Sequence, residues 1–130
     1  DTFIGSSFSY ASARDWAKLG QLMLQNGQWN EQQLLPGNWV KYSTTATKTA
    51  PLNQYGAQFW LNANPNSATE DRTWPTVPSD AYYMSGYQGQ YVVVIPSKEL
   101  VIVRLGFTKP GTNSGIERLL SDTIKAVSGK

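Results

Sequence analysis

The sequence predicts an α+β domain in which an antiparallel sheet is preceded by a helical segment and followed by a packing C-terminal helix. Three observations support this class: helical periodicity near the N-terminus, three runs of β-forming residues in the second half, and an apolar helical stripe at the end. A chain of 130 residues is long enough for one modest core. We therefore expect one domain over residues 1–130, mainly helical in 1–54 and made of a sheet and the terminal helix in 55–130.

The first predicted helix covers Ser12–Gln25, where apolar residues recur at helical spacing. Ser12 is a favourable N-cap, and Asp15 occupies the position of the acidic partner in a capping box. The pair Asn26-Gly27 favours left-handed backbone, which ends a helix. The helix residues that should face the core are Trp16, Leu19, Leu22 and Met23.

The middle of the chain gives weaker signals. A short helix is expected from about Pro36, because proline suits a first helical turn, and it should bury Trp39 and Val40. Tyr55–Leu61 predicts a strand with its odd-numbered residues on one side. Residues 62–80 contain several prolines and few aliphatic residues, which predicts a long surface loop that is either functional or mobile.

Three strands are expected in the second half, at about Ala81–Ser85, Gln90–Ile95 and Glu99–Phe107. The last two are rich in β-branched and aromatic residues and flank Pro96–Glu99, which supplies turn residues, so they predict a hairpin. The preceding segment Ser85–Gln90 is polar and contains two glycines. A hairpin does not require it, which makes it a candidate for function.

The last predicted element is a helix. Ser114 and Glu117 have the spacing of a second capping box, so both side chains are expected at the helix N-terminus. The apolar stripe that should pack on the sheet consists of Ile116, Leu119, Leu120, Ile124 and Val127.

The composition excludes several classes of function. Eleven Lys and Arg residues against nine Asp and Glu give a net charge of +2 without a block of either sign, so neither nucleic acid nor an anionic membrane is an expected partner. The absence of cysteine and histidine removes disulfides, thiol nucleophiles and the commonest zinc ligands. No apolar run approaches the roughly 20 residues of a transmembrane helix, so no membrane span is expected. Neither a cofactor nor a metal site is predicted.

A serine hydrolase needs an activated serine, and none of the local arrangements that activate one is present. The sequence contains no Ser-x-x-Lys, Gly-x-Ser-x-Gly, Tyr-x-Asn or Ser-x-Asn. Ser121 and Lys125 stand four residues apart beside the apolar stripe of the last helix, which is typical of solvated helix positions. Asp15 and Glu117 are accounted for by capping.

Two interpretations fit the glycines of the Ser85–Gln90 segment. Gly86 and Gly89 could be bulge or turn glycines at the start of a strand. Alternatively, they keep a strand edge free of side chains so that a substrate backbone can lie along it, with an exposed N–H directed at a developing oxyanion. A group of tyrosines lies in the same region, either in packing or in ligand contact: Tyr82, Tyr83 and Tyr87.

Several segments together resemble the serine β-lactamase-like hydrolases, which include class C β-lactamases, penicillin-binding-protein-like esterases and 6-aminohexanoate-dimer hydrolases. The resemblance covers nearly the whole chain and rests on SARDWAKLG, GQW and LLP in the first half, and on GYQGQ before VVVIPSKELVIV in the second. It implies a β-lactamase/transpeptidase-like fold of which this chain is the C-terminal part. The opening DTFIGSS fits the expectation of a longer parent protein.

That family carries three motifs: Ser-x-x-Lys, a Tyr-x-Asn or Ser-x-Asn, and a Lys-Thr-Gly-like triplet on a strand beside the site. Only the third has a counterpart here, Met84-Ser85-Gly86, in which Met84 replaces lysine; this departure fits esterases and amide hydrolases better than β-lactamases. The resemblance implies that the backbone N–H of Tyr87 is one oxyanion-hole donor. The substrate contacts that it implies are Ser85, Gly86, Gln88 and Gly89.

The resemblance also implies that an intact parent cleaves a small amide or ester through an acyl-enzyme. The chain alone is expected to be inactive, to have the missing N-terminal half as its partner, and to self-associate through the surfaces which that half would cover. A periplasmic or secreted location is the family expectation. Two alternatives stay open: a carbohydrate- or peptide-binding module, suggested by five Trp, seven Tyr and four Phe, and a non-catalytic structural member.

Overall fold

The structure is a computed structural model that describes residues 9–50, 52–63 and 68–129. Its strands form a small hairpin, β1-β2, and a four-stranded antiparallel sheet in the order β3-β4-β5-β6, which with the helices confirms the α+β class. No described helix is long and apolar enough to cross a membrane. The elements are α1 (Ala13–Leu24), β1 (Gln28–Trp29), β2 (Gln32–Gln33), α2 (Trp39–Ser43), β3 (Trp60–Leu61), β4 (Tyr82–Gly86), β5 (Gln90–Ile95), β6 (Leu100–Arg104) and α3 (Ile116–Ser128), with short 3-10 helices at Thr69–Asp71 and Pro96–Lys98.

Helix α1 begins where its capping residues predict. Ser12 Oγ accepts a hydrogen bond from the Asp15 amide at 3.2 Å and donates one to the Asp15 carboxylate at 2.6 Å. The bond from the Ser12 hydroxyl lowers the pKa of the Asp15 carboxyl below its usual value. Just beyond the helix, Asn26 and Gly27 have φ angles of 52° and 81°, which confirms the expected helix end.

The sheet has α1 on one face and α3 on the other, because successive residues of each strand point to opposite sides. The α1-side cluster joins residues before position 54 to strands after it, so the two expected segments meet in this cluster. That cluster contains Met23, Val40, Leu61, Tyr82 and Val94. The α3-side cluster contains Trp74, Val77, Ala81, Tyr83, Val93, Ile95, Ile102, Ile116 and Leu120.

Burial follows the predicted helical stripes only in part. Val40 of α2 and Leu120 of α3 are buried, as the apolar spacing predicted. Trp39 was expected to be buried but is 44% exposed, and Leu119 and Val127 of α3 are exposed as well. A helix that lies on one sheet buries a limited stripe, so apolar positions at the margins of that stripe stay accessible to solvent.

The prediction of a strand over Tyr55–Leu61 is wrong except at the end of that range. Gln58 has a φ of 69°, so the chain turns before it reaches the sheet, and only Trp60–Leu61 forms a strand. Tyr55 pairs with Trp60 as an isolated bridge across that turn. The alternating apolar residues here therefore belong to a turn rather than to an extended segment.

The capping box expected at Ser114 and Glu117 does not form. Helix α3 starts after Gly115, whose φ of 67° places it in the left-handed region and displaces the helix start from the predicted N-cap. The Glu117 carboxylate instead accepts hydrogen bonds from Thr76 N and Thr76 Oγ1 at 3.1 and 2.9 Å. Glu117 thus ties α3 to the connection between β3 and β4.

That connection, predicted as a surface loop, is organised by one buried amide. Asn62 Nδ2 lies 3.2, 3.1 and 3.0 Å from the carbonyl oxygens of Trp74, Val77 and Pro78, which share its two N–H donors, and its Oδ1 accepts from Trp74 N at 2.8 Å. Trp74 and Val77 are buried in the α3-side cluster, so the surface-loop prediction is wrong for this part. Pro51 and residues 64–67 lie outside the described residues.

We expect Asn62→Asp to lower the free energy of unfolding by about 3 kcal/mol or more, because a buried carboxylate would face carbonyl oxygens and lose the amide donor. Asn38→Asp is the matched control, since Asn38 is exposed and its side chain makes no capping hydrogen bond. The control should change stability by less than about 0.5 kcal/mol. Denaturant unfolding of both variants measures the difference, and equal losses would show that the Asn62 amide does not organise this connection.

Candidate functional site

The segment singled out in the sequence lies at the end of β4 and in the turn that follows. Ser85 and Gly86 are the last two residues of β4 and pair with Tyr91 and Gln90 of β5. Both are exposed to solvent, and the turn at 87–89 leads directly into β5. All five predicted site residues therefore lie together at one accessible corner of the sheet.

In the part of the chain that the structure describes, the edge of β4 that faces β3 is open beyond Tyr83. Among the described residues, β3 pairs with β4 only at Tyr82 and Tyr83. The Asn62 N–H donates to the Ala81 carbonyl at 2.9 Å, so the main chain of Ala81 faces the β3 side. Because main-chain groups alternate in direction along an antiparallel strand, those of Tyr83 and Ser85 face the same side. Ser85 therefore presents its N–H and C=O at an edge that β3 does not cover.

The turn after β4 needs left-handed backbone at two residues, Gln88 with a φ of 61° and Gly89 with a φ of 81°. A Cβ on Gly89 would also lie 2.5 Å from Thr108 Oγ1, so no side chain fits there. This supports the turn-glycine interpretation for Gly89. A Cβ on Gly86 would have its nearest contact at 3.3 Å, to Gln90 Cβ, so neither the turn nor the main chain requires glycine at that position.

Two residues that the sequence analysis did not single out hold this turn. Arg104 Nη1 donates to the Gly89 carbonyl, and its Nη2 donates to Thr108 Oγ1 at 3.0 Å. The Thr108 N–H donates to the Gln88 carbonyl at 2.9 Å. The sequence could have located Arg104 through the register of the β5-β6 hairpin. When the two strands are paired residue by residue away from their turn, Arg104 lies opposite Tyr91 near the start of β5.

The tyrosines expected to cluster here occupy different environments. Tyr87 is 81% exposed, whereas Tyr82 and Tyr83 are buried on opposite faces of the sheet. Burial raises the pKa of the phenols of Tyr82 and Tyr83, so both stay protonated at neutral pH and neither serves as a phenolate base. Of the three, Tyr87 is the one accessible to a ligand.

The other candidate residues of the sequence analysis form no catalytic arrangement among the described residues. Ser121 Oγ donates to the Arg118 carbonyl at 3.2 Å within α3, which is an ordinary helical hydrogen bond. Met84, at the position of the family's lysine, is partly buried and carries no charge. Within residues 9–50, 52–63 and 68–129, no three acidic side chains gather as a metal site would need.

Comparison of the sequence with curated proteins finds a distant relative. No family model matches the sequence. An uncharacterized protein of Alkalihalophilus pseudofirmus is 27% identical over 124 residues, an alignment that covers 88% of this chain and 36% of that protein. The chain thus spans about a third of the curated relative that it matches.

Two solved structures share the fold. A provisionally named 6-aminohexanoate-dimer hydrolase from Bacillus anthracis matches with a TM-score of 0.58 and 24% identity, over 91% of this chain and 28% of that one. A provisionally named β-lactamase from Bacteroides dorei matches with a TM-score of 0.56 and 13% identity, over 90% of this chain and 40% of that one. The chain therefore has a β-lactamase-like fold, as the resemblance implied, and corresponds to less than half of either structure.

The two glycines of the turn should respond differently to a methyl group. Gly89→Ala should lower the free energy of unfolding by about 1–2 kcal/mol, because it combines a left-handed φ with a steric overlap on Thr108. Gly86→Ala should cost clearly less, since its φ is not left-handed and its nearest contact is a side-chain carbon. Denaturant unfolding of both variants is the measurement, and a larger loss for Gly86→Ala would contradict these assignments.

Proposed function

We propose that this chain is the C-terminal part of a serine hydrolase that cleaves small amide or ester substrates through an acyl-enzyme. The observation that carries the proposal is the open main-chain edge of β4 at Ser85, next to the side-chain-free Gly86, in a β-lactamase-like fold. Main-chain N–H groups fixed on such an edge are suited to stabilise an oxyanion. The proposed role of the chain is to supply this edge and one oxyanion-hole donor.

The proposed donor is the backbone N–H of Tyr87. Tyr87 is the first residue after β4. If the main chain keeps its alternation through Gly86, the Tyr87 N–H faces the same side as Ser85, toward the open edge. Ser85 and Gly86 would lie along the substrate, where the absence of a side chain at Gly86 allows close approach. Gln88 and Gly89 would border the substrate and shape the turn that carries the donor.

The remaining catalytic groups would come from the rest of the complete protein. A serine attacks the carbonyl carbon, its proton passes to the leaving group by way of a lysine and a tyrosine, and water hydrolyses the acyl-enzyme. At each tetrahedral stage the negative oxygen accepts hydrogen bonds from the Tyr87 N–H and from the N–H of the serine. One donor of this kind is typically worth roughly 3–4 kcal/mol of barrier.

Met84 supports a neutral ester or amide as substrate. A thioether at this position offers no cation to a substrate carboxylate, whereas the lysine of the family motif would. We therefore propose an esterase or amide hydrolase rather than a β-lactamase. A periplasmic or secreted location is proposed with it, on the family likeness alone.

The alternative of a carbohydrate- or peptide-binding module rested on the many aromatic residues. In the structure, Trp74 lies 4.3 Å from Tyr83 and 6.0 Å from Tyr91 between ring centroids. Trp60 lies 4.8 Å from Tyr55 and 6.4 Å from Tyr83. These rings pack on one another, so packing explains this part of the aromatic content. Other aromatic side chains stay exposed, among them Tyr42 at 62% and Tyr87 at 81%, so the binding module remains the alternative to the hydrolase proposal.

The chain by itself should not hydrolyse substrates, because it has no Ser-x-x-Lys. An oxyanion donor has nothing to stabilise when no nucleophile is present. Incubation of the purified chain with p-nitrophenyl esters and a chromogenic cephalosporin should give no turnover above buffer. Turnover that persists after repurification would reveal a site within the chain that this proposal does not contain.

In the protein expressed from the complete reading frame, Gly86→Val should lower kcat for an ester by about a hundredfold or more while folding persists. The reason is that a branched side chain would obstruct the substrate beside the Tyr87 N–H. Tyr87→Phe is the matched control and should matter much less, since it keeps the backbone donor. Equal losses from both substitutions would mean that the Tyr87 hydroxyl, rather than its amide, has the role.

We propose that the partner of this chain is the rest of the same hydrolase. Among the described strands, β6 pairs only with β5, so its outer edge is unpaired, and Leu105 and Phe107 just after it are 40% and 69% exposed. Unpaired edges and exposed apolar groups promote association. The isolated chain should therefore self-associate as its concentration rises.

Sedimentation across a concentration series, with hydrogen exchange on the same sample, measures this. A concentration-independent monomer with strongly protected amides over 90–107 would show a self-sufficient domain and contradict the proposed partner.

A further inference from the structure

The turn that carries Tyr87 has little packing of its own. The Tyr87 side chain is 81% exposed, so it does not anchor the turn. Gln88 adopts a left-handed backbone conformation that residues other than glycine seldom adopt. A turn of this kind keeps a single conformation when neighbouring groups hold it. In this structure those groups are Arg104 and Thr108, which bond Gln88 and Gly89, and Gln90, whose Nε2 donates to the Tyr87 carbonyl at 3.3 Å.

The hydrogen bonds of Arg104 and Thr108 form a closed ring, which we call the Arg104–Thr108 bracket. It runs from Arg104 to the Gly89 carbonyl, along the main chain to Gln88, from the Gln88 carbonyl to the Thr108 N–H, and from Thr108 Oγ1 back to Arg104. The bonds of Arg104 are charge-assisted and partly buried, which makes them stronger than ordinary surface bonds.

The chemistry of the bracket requires arginine. A guanidinium group holds separate N–H donors in one rigid plane, so Arg104 can bond Gly89 and Thr108 at the same time in fixed directions. A lysine ammonium carries the same charge but donates from a single rotating point. Arg104→Lys therefore keeps the positive charge and removes the pair of donors in fixed directions.

We infer that Arg104 is a positioning residue, which acts through Thr108 and the 87–89 turn to hold the Tyr87 N–H in one direction. The inference rests on the proposed function, in which that N–H is an oxyanion-hole donor. Without the bracket the turn would sample several conformations, and the donor would leave the site where negative charge develops. Such a loss lowers kcat more than it raises KM, because the oxyanion forms only during the reaction.

The first experiment measures the bracket in the 130-residue chain by amide hydrogen exchange. Arg104→Lys and Thr108→Val should each lower the protection of the amide of residue 108 by about tenfold or more, while the central amides of β5 and β6 stay protected. Arg118→Lys and Thr112→Val are the controls: Arg118 is exposed on α3, and Thr112 Oγ1 donates to the local Lys109 carbonyl at 2.6 Å, outside the bracket. Unchanged protection of the amide of residue 108 in both test variants would overturn the bracket.

The second experiment compares the same variants in the protein expressed from the complete reading frame. Arg104→Lys should lower kcat for an ester about tenfold with KM changed less than about threefold, and Arg118→Lys should change neither. A loosened turn with unchanged kcat would overturn the positioning role and leave the proposed function standing. A complete protein that forms no acyl-enzyme with any ester or amide would overturn the proposed function, and the positioning role with it, while the exchange result would still report the bracket.

Discussion

The hydrogen bonds of the buried Asn62 side chain to four main-chain groups fix the connection on which the rest of the sheet depends. By holding the carbonyls of residues 74, 77 and 78, Asn62 folds a polar, proline-containing segment back so that Trp74 and Val77 enter the α3-side core. Trp74 then packs on Tyr83 with ring centroids 4.3 Å apart. Tyr83 lies three residues before Gly86 on the same strand. The Asn62 side chain therefore helps to position the candidate site at the end of β4.

The open edge of β4 has a local cause of its own. In the register of β3 and β4, Trp60 pairs with Tyr83, so Gln58 would lie opposite Ser85 if β3 continued. Gln58 instead has a φ of 69°, which turns the chain away before it can pair. Within the described ranges, the edge is therefore unpaired because of a left-handed residue in the preceding turn, and Ser85 itself has no unusual conformation.

The sequence predicted the α+β class, the start of α1 and the three main strands, because these depend on periodicity and capping, which act locally. It did not predict that Trp74 and Val77 are buried, since their burial depends on hydrogen bonds to Asn62 from residues 12 to 16 positions away. Glu117 shows the same limit: its spacing from Ser114 fits a capping box, yet a positive φ at Gly115 and contact with Thr76 decide its partner. Local patterns therefore describe elements well and long-range polar contacts poorly.

The candidate site depends on long-range polar contacts, because its proposed chemistry uses the main chain. A backbone N–H has no sequence signature; its usefulness depends on the neighbours that direct it. Here those neighbours are a turn glycine, Gly89, and a hydrogen-bonding pair, Arg104 and Thr108, which lie 15 and 19 residues farther along the chain. Every group that holds the turn, including both cores beneath it, comes from this chain. It follows that the oxyanion side of the proposed site can be ordered by the chain alone, before any segment bearing a nucleophile packs against the open edge.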